Sequence, residues 1–187
     1  VTGGSGLLGS KFVSELANRG ANVVSLDQAI PDGIPENAGT SGSVTYVSAD
    51  ITERDQLERI CESALEKFGR IDGLINSAAI DTRPDAPVEE NGPFENFPLD
   101  VWRRVMDVNV TGTFLCCQVF GKAMADRGKG SIVNISSTYG LVAPDQKIYE
   151  YRRQQGEEFY KPPAYSTSKS AILNLTRYVA TYWGGKG

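Results

Sequence analysis

Tyr165 and Lys169 stand four positions apart in Tyr165-Ser-Thr-Ser-Lys169. On a helix they share one face, one turn apart. A lysine ammonium beside a phenol favours the phenolate. Such a pair would take up and release a proton close to neutral pH. The same spacing also describes an ordinary surface pair, so its meaning depends on the rest of the chain. Histidine is absent, which excludes Ser-His-Asp and Cys-His nucleophilic catalysis and the usual His-based metal sites. Cys61, Cys116 and Cys117 suit neither a disulfide framework nor a zinc spacing and read as reduced packing residues. No metal is expected.

A second group lies at the start. Gly3, Gly6 and Gly9 are three apart in Thr2-Gly-Gly-Ser-Gly-Leu-Leu-Gly9. An amphipathic helix follows, with Leu8, Phe12, Val13, Leu16 and Ala17 on one side, and Arg19-Gly20 closes it. Asn22 to Leu26 is then a short apolar strand ending at Asp27, 18 positions after Gly9. A dinucleotide site needs this order: glycines where strand turns into helix, then an acid after the next strand. The glycines let backbone approach a pyrophosphate, and the helix N-terminus binds it. A carboxylate at Asp27 would accept hydrogen bonds from the adenosine ribose and repel a 2′-phosphate, which favours NAD over NADP.

The elements that must position these groups alternate. Val44–Ala49 reads as a strand running into Asp50-Ile51, and Thr52 as the cap of a helix over about 53–67 with Leu57, Ile60, Ala64 and Leu65 buried. Ile71–Asn76 reads as the next strand, followed by the small residues Ser77, Ala78 and Ala79. These either let a cofactor lie close to backbone or pack a tight loop. Residues 28–43 and 81–98 read as loops. From Leu99 the apolar residues Val101, Val105, Val108, Phe114, Leu115, Val119 and Met124 predict one helix of nearly thirty residues. Asn109 sits among them, where a buried amide needs partners. Ser131–Ser136 reads as a strand, with Ser137 and Thr138 beyond it; 139–163 as an irregular segment rich in aromatics and charge; and Pro163 onward as the helix of Tyr165 and Lys169. The expected architecture is α/β, a doubly wound parallel sheet. In such sheets ligands gather at the C-terminal strand ends, where the glycines, Asp27, Asp50, Asn76 and Ser137 all fall.

Composition agrees. The 187 residues suit one domain over 1–187, and 40% hydrophobic with 22% charged residues is ordinary for a globular chain. A net charge of −4 without a basic run argues against nucleic acid. No apolar stretch or leader pattern points to a membrane, and a cytoplasmic location is expected. The chain starts Val1-Thr2-Gly3 and stops just after a helix, so it is expected to be a Rossmann-type domain truncated at both ends.

Taken in order, Thr2–Gly9, Asp27, Asp50-Ile51, Asn76-Ser-Ala-Ala79, Asn109 in Met-Asp-Val-Asn-Val, Ser137 and Tyr165-x-x-x-Lys169 resemble the short-chain dehydrogenase/reductase family across the whole chain. That resemblance implies a Rossmann fold and hydride transfer between NAD and a secondary alcohol or carbonyl, with a small-molecule substrate. It assigns Tyr165 as acid/base and Lys169 as the residue that tunes it and binds the nicotinamide ribose. It assigns Ser137, rather than Ser136, to the reacting oxygen and Asn109 to a water in a proton relay. Gly3, Ser5, Gly6, Leu7 and Leu8 would form the pyrophosphate loop. Asp27 would take the ribose, Asp50 and Ile51 the adenine, and Asn76 and Ala78 would line the cofactor. Family members commonly pair through the long helices, so a homodimer or homotetramer is expected.

Two features depart from the short branch of that family. The spacing Gly3-x-x-Gly6-x-x-Gly9 is similar to the extended branch, which leaves a sugar-nucleotide epimerase or dehydratase as an alternative, with a non-catalytic NAD-binding regulator as a third. Ser137 and Tyr165 are 28 apart, about twice the usual separation. The added segment reads either as a solvated lid or as an anion site using Arg152, Arg153 or Lys161. Its stretch Tyr139-Gly-Leu-Val-Ala-Pro-Asp-Gln resembles oxidoreductases of flagellin and surface-glycan sugar modification, which leans toward a sugar-derived alcohol.

Overall fold

The computed structural model describes residues 1–30, 41–82 and 86–187. Part of each long loop expected from the sequence, at 31–40 and 83–85, lies outside the described residues.

Among the described residues four strands form two parallel pairs. β1 (Asn22–Asp27) pairs with β2 (Ser43–Ser48), with Val23 opposite Val44. β3 (Gly73–Asn76) pairs with β4 (Ser131–Asn134), with Ile75 opposite Val133. Val1 and Thr2 join the pairs into one sheet. Leu26 N donates to Val1 O and Thr2 N to Ile75 O, each at 2.9 Å, and Thr2 bridges both Leu26 and Asn76. Parallel neighbours need crossovers rather than hairpins, and helices supply them: α2 (Arg54–Phe68) between β2 and β3, and α3 (Leu99–Met106) with α4 (Thr113–Arg127) between β3 and β4.

Apolar side chains on both sheet faces then need covers. α1 (Gly9–Asn18) lays Val13 and Ala17 on Val23 and Val44. A second cluster gathers Leu26, Leu57, Leu74, Cys116, Cys117 and Phe120. Leu57 at its centre is 0% exposed, and burying such a side chain contributes roughly 1.5–3 kcal/mol. Among the described residues no helix is long and apolar enough to cross a membrane.

Three local expectations change. The helix from Leu99 is interrupted by a π turn at Asp107–Gly112, where the Thr113 hydroxyl donates to the Asn109 carbonyl at 2.9 Å. Thr52 does not cap α2: Glu53 stands at that position without a side-chain bond, and the Thr52 hydroxyl donates to Asp50 instead. The segment before the last helix is folded, with short turns at Thr138–Gly140 and Gln146–Tyr149 and a helix α5 (Glu150–Gln154). α6 (Pro163–Trp183) follows as expected.

Candidate active site

At the C-terminal strand ends a cleft of about 360 Å³ is lined by Gly3, Gly6, Leu7, Leu8, Asp27, Asp50, Ile51 and Ala78, together with Gln28 and Ile80. Gly3 has φ of +66°, and a Cβ there would stand 2.7 Å from Ala78 Cα. Glycine is thus required both for the turn and for the close approach. Gly9 starts α1 directly against the Gly3 carbonyl, where a Cβ would come within 2.0 Å. A Cβ on Gly6, by contrast, would meet only Gly3 O, at 3.2 Å. The start of α1 has no side-chain cap. The N–H groups of Leu7, Leu8 and Gly9 find no acceptor among the described residues. Free donors at a helix N-terminus favour an anion. These residues therefore fit the phosphate-bearing part of a dinucleotide.

The acids around the cleft are held by the protein. Asp27 Oδ2 accepts from Ser5 N at 2.9 Å, so the carboxylate braces the glycine loop. Ser5 does not line the cleft, and its Oγ is buried without a partner among the described residues. Asp50 accepts from Thr52 N and Oγ1 and from Gln28 Nε2 at 2.7–2.8 Å. Partial burial pushes its carboxyl upward, but these bonds outweigh that and hold it below the usual carboxylate value. Ile51 is buried against Gly112 of the π turn, where a Cβ would come within 2.6 Å of its side chain.

Asn76 is not among the residues that line the cleft. Its side chain turns into the interior, donating to Asn134 Oδ1 at 2.8 Å and to Cys117 Sγ at 3.3 Å. The small residues after it do line the cleft, and the Thr2 hydroxyl accepts from Ser77 N and Ala78 N at 3.1 Å each. Burial pushes the thiols of Cys116 and Cys117 up to about 12 and 11, which makes them inert packing groups.

Tyr165 and Lys169 share a face of α6, with Lys169 Nζ 5.7 Å from the Tyr165 ring centroid. Lys169 is 4% exposed, and its Nζ donates to Ile135 O at 2.8 Å. Burial pushes its ammonium below the usual lysine value, while the charge of Asp81 draws it part of the way back. Ser136 donates its hydroxyl to Lys169 O at 2.8 Å. Ser137 Oγ accepts from Tyr139 N at 3.2 Å, and its own proton has no acceptor among the described residues. The structure thus separates two adjacent serines that the sequence leaves alike.

Asn109 is 1% exposed and fully engaged. Its Oδ1 accepts from Ile80 N at 2.8 Å; its Nδ2 donates to Ile80 O and to Ser168 Oγ, both at 2.9 Å. Ser168 in turn donates to Tyr165 O at 2.7 Å. Asn109 therefore ties the cleft wall at Ile80 to the helix of Tyr165. Ser168 and Ile80 were invisible in the sequence: a mid-helix serine and a loop isoleucine carry no signal until the fold sets them together.

Lys161 adds a second cation beside Tyr165. Lys161 Nζ is 5.5 Å from its ring centroid and forms an ion pair with Asp81. Tyr149 is pushed up to about 12 by a hydrogen bond with Tyr139, then by burial and the nearby charge of Asp81. Neither Asp81 nor Lys161's pairing with it was expected from the sequence, where they lie 80 positions apart.

Comparison with known proteins places these features. A family profile described as "short chain dehydrogenase" matches residues 1–151. The chain is 35% identical over 188 residues to 2,5-dichloro-2,5-cyclohexadiene-1,4-diol dehydrogenase of Sphingobium indicum, covering 100% of this chain and 66% of that protein. It is 29% identical over 190 residues to D-threitol dehydrogenase of Mycolicibacterium smegmatis, covering 100% and 64%. The chain thus spans just under two thirds of the length of these relatives. Among solved structures, levodione reductase superposes with a TM-score of 0.80 at 26% identity, over 99% of this chain and 65% of that one.

Proposed function

The chain belongs to the short-chain dehydrogenase family, and on that footing we propose that the protein transfers a hydride between a nicotinamide cofactor and a secondary alcohol or its carbonyl. The observation that carries this reading is the buried Lys169 held on Ile135 O beside Tyr165, with the undirected Ser137 hydroxyl two residues further along. When bound, the cofactor takes or gives the hydride. Tyr165 takes the alcohol proton in oxidation and returns it in reduction. Lys169 keeps positive charge beside the phenol and offers its remaining N–H groups to the cofactor ribose. Ser137 donates to the reacting oxygen, whereas Ser136 has committed its proton to Lys169 O. Asn109 positions Tyr165 through Ser168, and any part it plays in a water relay falls to its main chain, since both side-chain atoms are engaged.

NAD is the preferred cofactor in this reading. Asp27 stands in the cleft wall as a carboxylate, and a 2′-phosphate brought there would meet like charge. Titration of NAD and NADP checks this; equal or tighter NADP binding contradicts it. The substrate is a small, sugar-derived or related alcohol, in keeping with the diol and threitol named for the relatives. Copies pair through α4 and α6, on which Phe114, Tyr178 and Tyr182 are exposed; light scattering of the full-length protein reads the assembly.

The decisive experiment follows NADH formation by the full-length protein with a panel of polyols and other secondary alcohols. Wild type accumulates free NADH, and Tyr165→Phe loses ~10²–10⁴-fold in kcat. Undiminished turnover in the variant sinks the mechanism. Product formation with tightly held NAD and no free NADH favours the epimerase or dehydratase alternative.

A further inference from the structure

The segment between β4 and α6 holds itself together, and in doing so it commits its arginines. Arg153 donates to Phe159 O at 2.9 Å and to Gln146 O at 2.8 Å, with its guanidinium 4.9 Å from the Tyr160 ring centroid. Arg152 pairs with Glu157 at 2.6 Å and lies 4.0 Å over Phe159. The Gln146 amide bonds both the N–H and the carbonyl of Lys161. Lys147 is exposed to solvent. Lys161 reaches toward Tyr165, and it is matched by Asp81; their side chains are 15% and 32% exposed. The three basic residues suggested for an anion site, Arg152, Arg153 and Lys161, are therefore each already engaged.

Asp81 follows the cleft-lining Ile80 and is joined to the surroundings of Tyr165 through Lys161. Its Oδ1 accepts from Thr82 N at 2.9 Å and its Oδ2 bonds Lys161, which leaves lone pairs on both oxygens. The titratable groups its charge acts on are Lys161, Lys169 and Tyr149, the last bonded to Tyr139. A neutral alcohol can donate hydroxyl protons to this carboxylate. A carboxylate or phosphate would be desolvated against Asp81 with Lys161 already neutralised, which is costly.

We propose that Asp81, held by Lys161, is the specificity-determining group of the alcohol site, and that it selects a neutral polyhydroxylated alcohol over an anionic one. This rests on the dehydrogenase reading above. Asp81 accepts from a hydroxyl near the reacting carbon, and Lys161 fixes its position while cancelling its charge. Removing the carboxylate uncovers the Lys161 ammonium beside Tyr165; removing the ammonium leaves the carboxylate unopposed. The two changes act on anionic substrates in opposite directions.

The test measures kcat/KM of the full-length protein with NAD for a tetritol, for the aldonate of the same carbon number, and for an unfunctionalised secondary alcohol. Wild type prefers the tetritol to both. Asp81→Asn lowers the tetritol-to-aldonate ratio by ~10-fold or more, mainly through KM. Asp81→Glu keeps the wild-type preference in part, and Lys161→Met leaves the ratio the same or higher. Melting temperatures separate these effects from misfolding, since a fold defect lowers all three substrates together. An unchanged ratio in Asp81→Asn, or a wild-type preference for the aldonate or the simple alcohol, overturns the inference while leaving the dehydrogenase reading standing. No turnover of any alcohol by wild type that binds NAD overturns both.

Discussion

Lys169 Nζ donates to the main-chain carbonyl of Ile135 at 2.8 Å, so the lysine is fixed by the end of β4 and not merely by its place on α6. The residue is 4% exposed, so the slot around it is tight. Lys169→Arg keeps the charge but cannot seat a planar guanidinium in that slot. Both Lys169→Arg and Lys169→Met are expected to lose ~10²–10⁴-fold in kcat. In Lys169→Met the stranded Ile135 carbonyl adds a stability cost of about 1–3 kcal/mol. Steady-state kinetics with thermal unfolding check both; wild-type kcat in Lys169→Arg would refute the fixed-slot argument.

Ser136 and Ser137 should separate cleanly. Ser137→Ala removes a hydroxyl proton with no acceptor among the described residues and is expected to cost ~10²–10³-fold in kcat, with about 1 kcal/mol of stability from the lost bond to Tyr139 N. Ser136→Ala breaks the bond to Lys169 O and is expected to cost about 1 kcal/mol of stability with a smaller kinetic effect. Kinetics and denaturant unfolding of the two variants side by side decide the assignment, and a reversed pattern would exchange their roles.

Asp50 gives the stability a pH dependence. Its carboxyl is held below its ordinary value of 3.8, so its contribution is present above that pH and is lost as pH falls through the lower folded-state value. Asp50→Asn is expected to cost about 1 kcal/mol at neutral pH, allowing for its partial exposure. The difference from wild type closes as the pH drops below 3.8. Urea unfolding across the acid range checks this; a gap that persists at the acid end contradicts it.

Gly3 and Gly20 both have positive φ, +66° and +88°, but only Gly3 touches the cleft wall, since Gly20 has open space to Ser41 Cβ at 3.9 Å. Gly20→Ala is expected to cost about 1 kcal/mol of stability and leave NAD affinity unchanged. Gly3→Ala must also push back Ala78, and is expected to weaken NAD binding by ~10-fold or more. Calorimetric titration distinguishes them.

The fold was legible because its signals are local. Apolar periodicity set β1, β2, α2 and α6 to within two residues, and the glycine and YxxxK spacings are fixed by turn and helix geometry. What stayed hidden lies where a distant partner decides. Nothing near Asn76 says that its amide will meet Cys117 and Asn134. Nothing near Thr52 says that its hydroxyl will serve Asp50. The π turn at Asp107–Gly112 is equally hidden, because the same apolar spacing suits an unbroken helix.

What the sequence by itself determined is the order of the chemical groups along the chain and the element on which each sits. Those follow from backbone periodicity and side-chain type alone. Tertiary structure decided which groups are free to act. It turned Ser136 toward Lys169 O and left Ser137 undirected, and it committed Arg152 and Arg153 to folding their own segment. It also brought Asp81 to Lys161 across 80 positions. The physical reason is that a hydrogen-bonding or charged group can be spent only once, and the partner that spends it is chosen by packing in three dimensions.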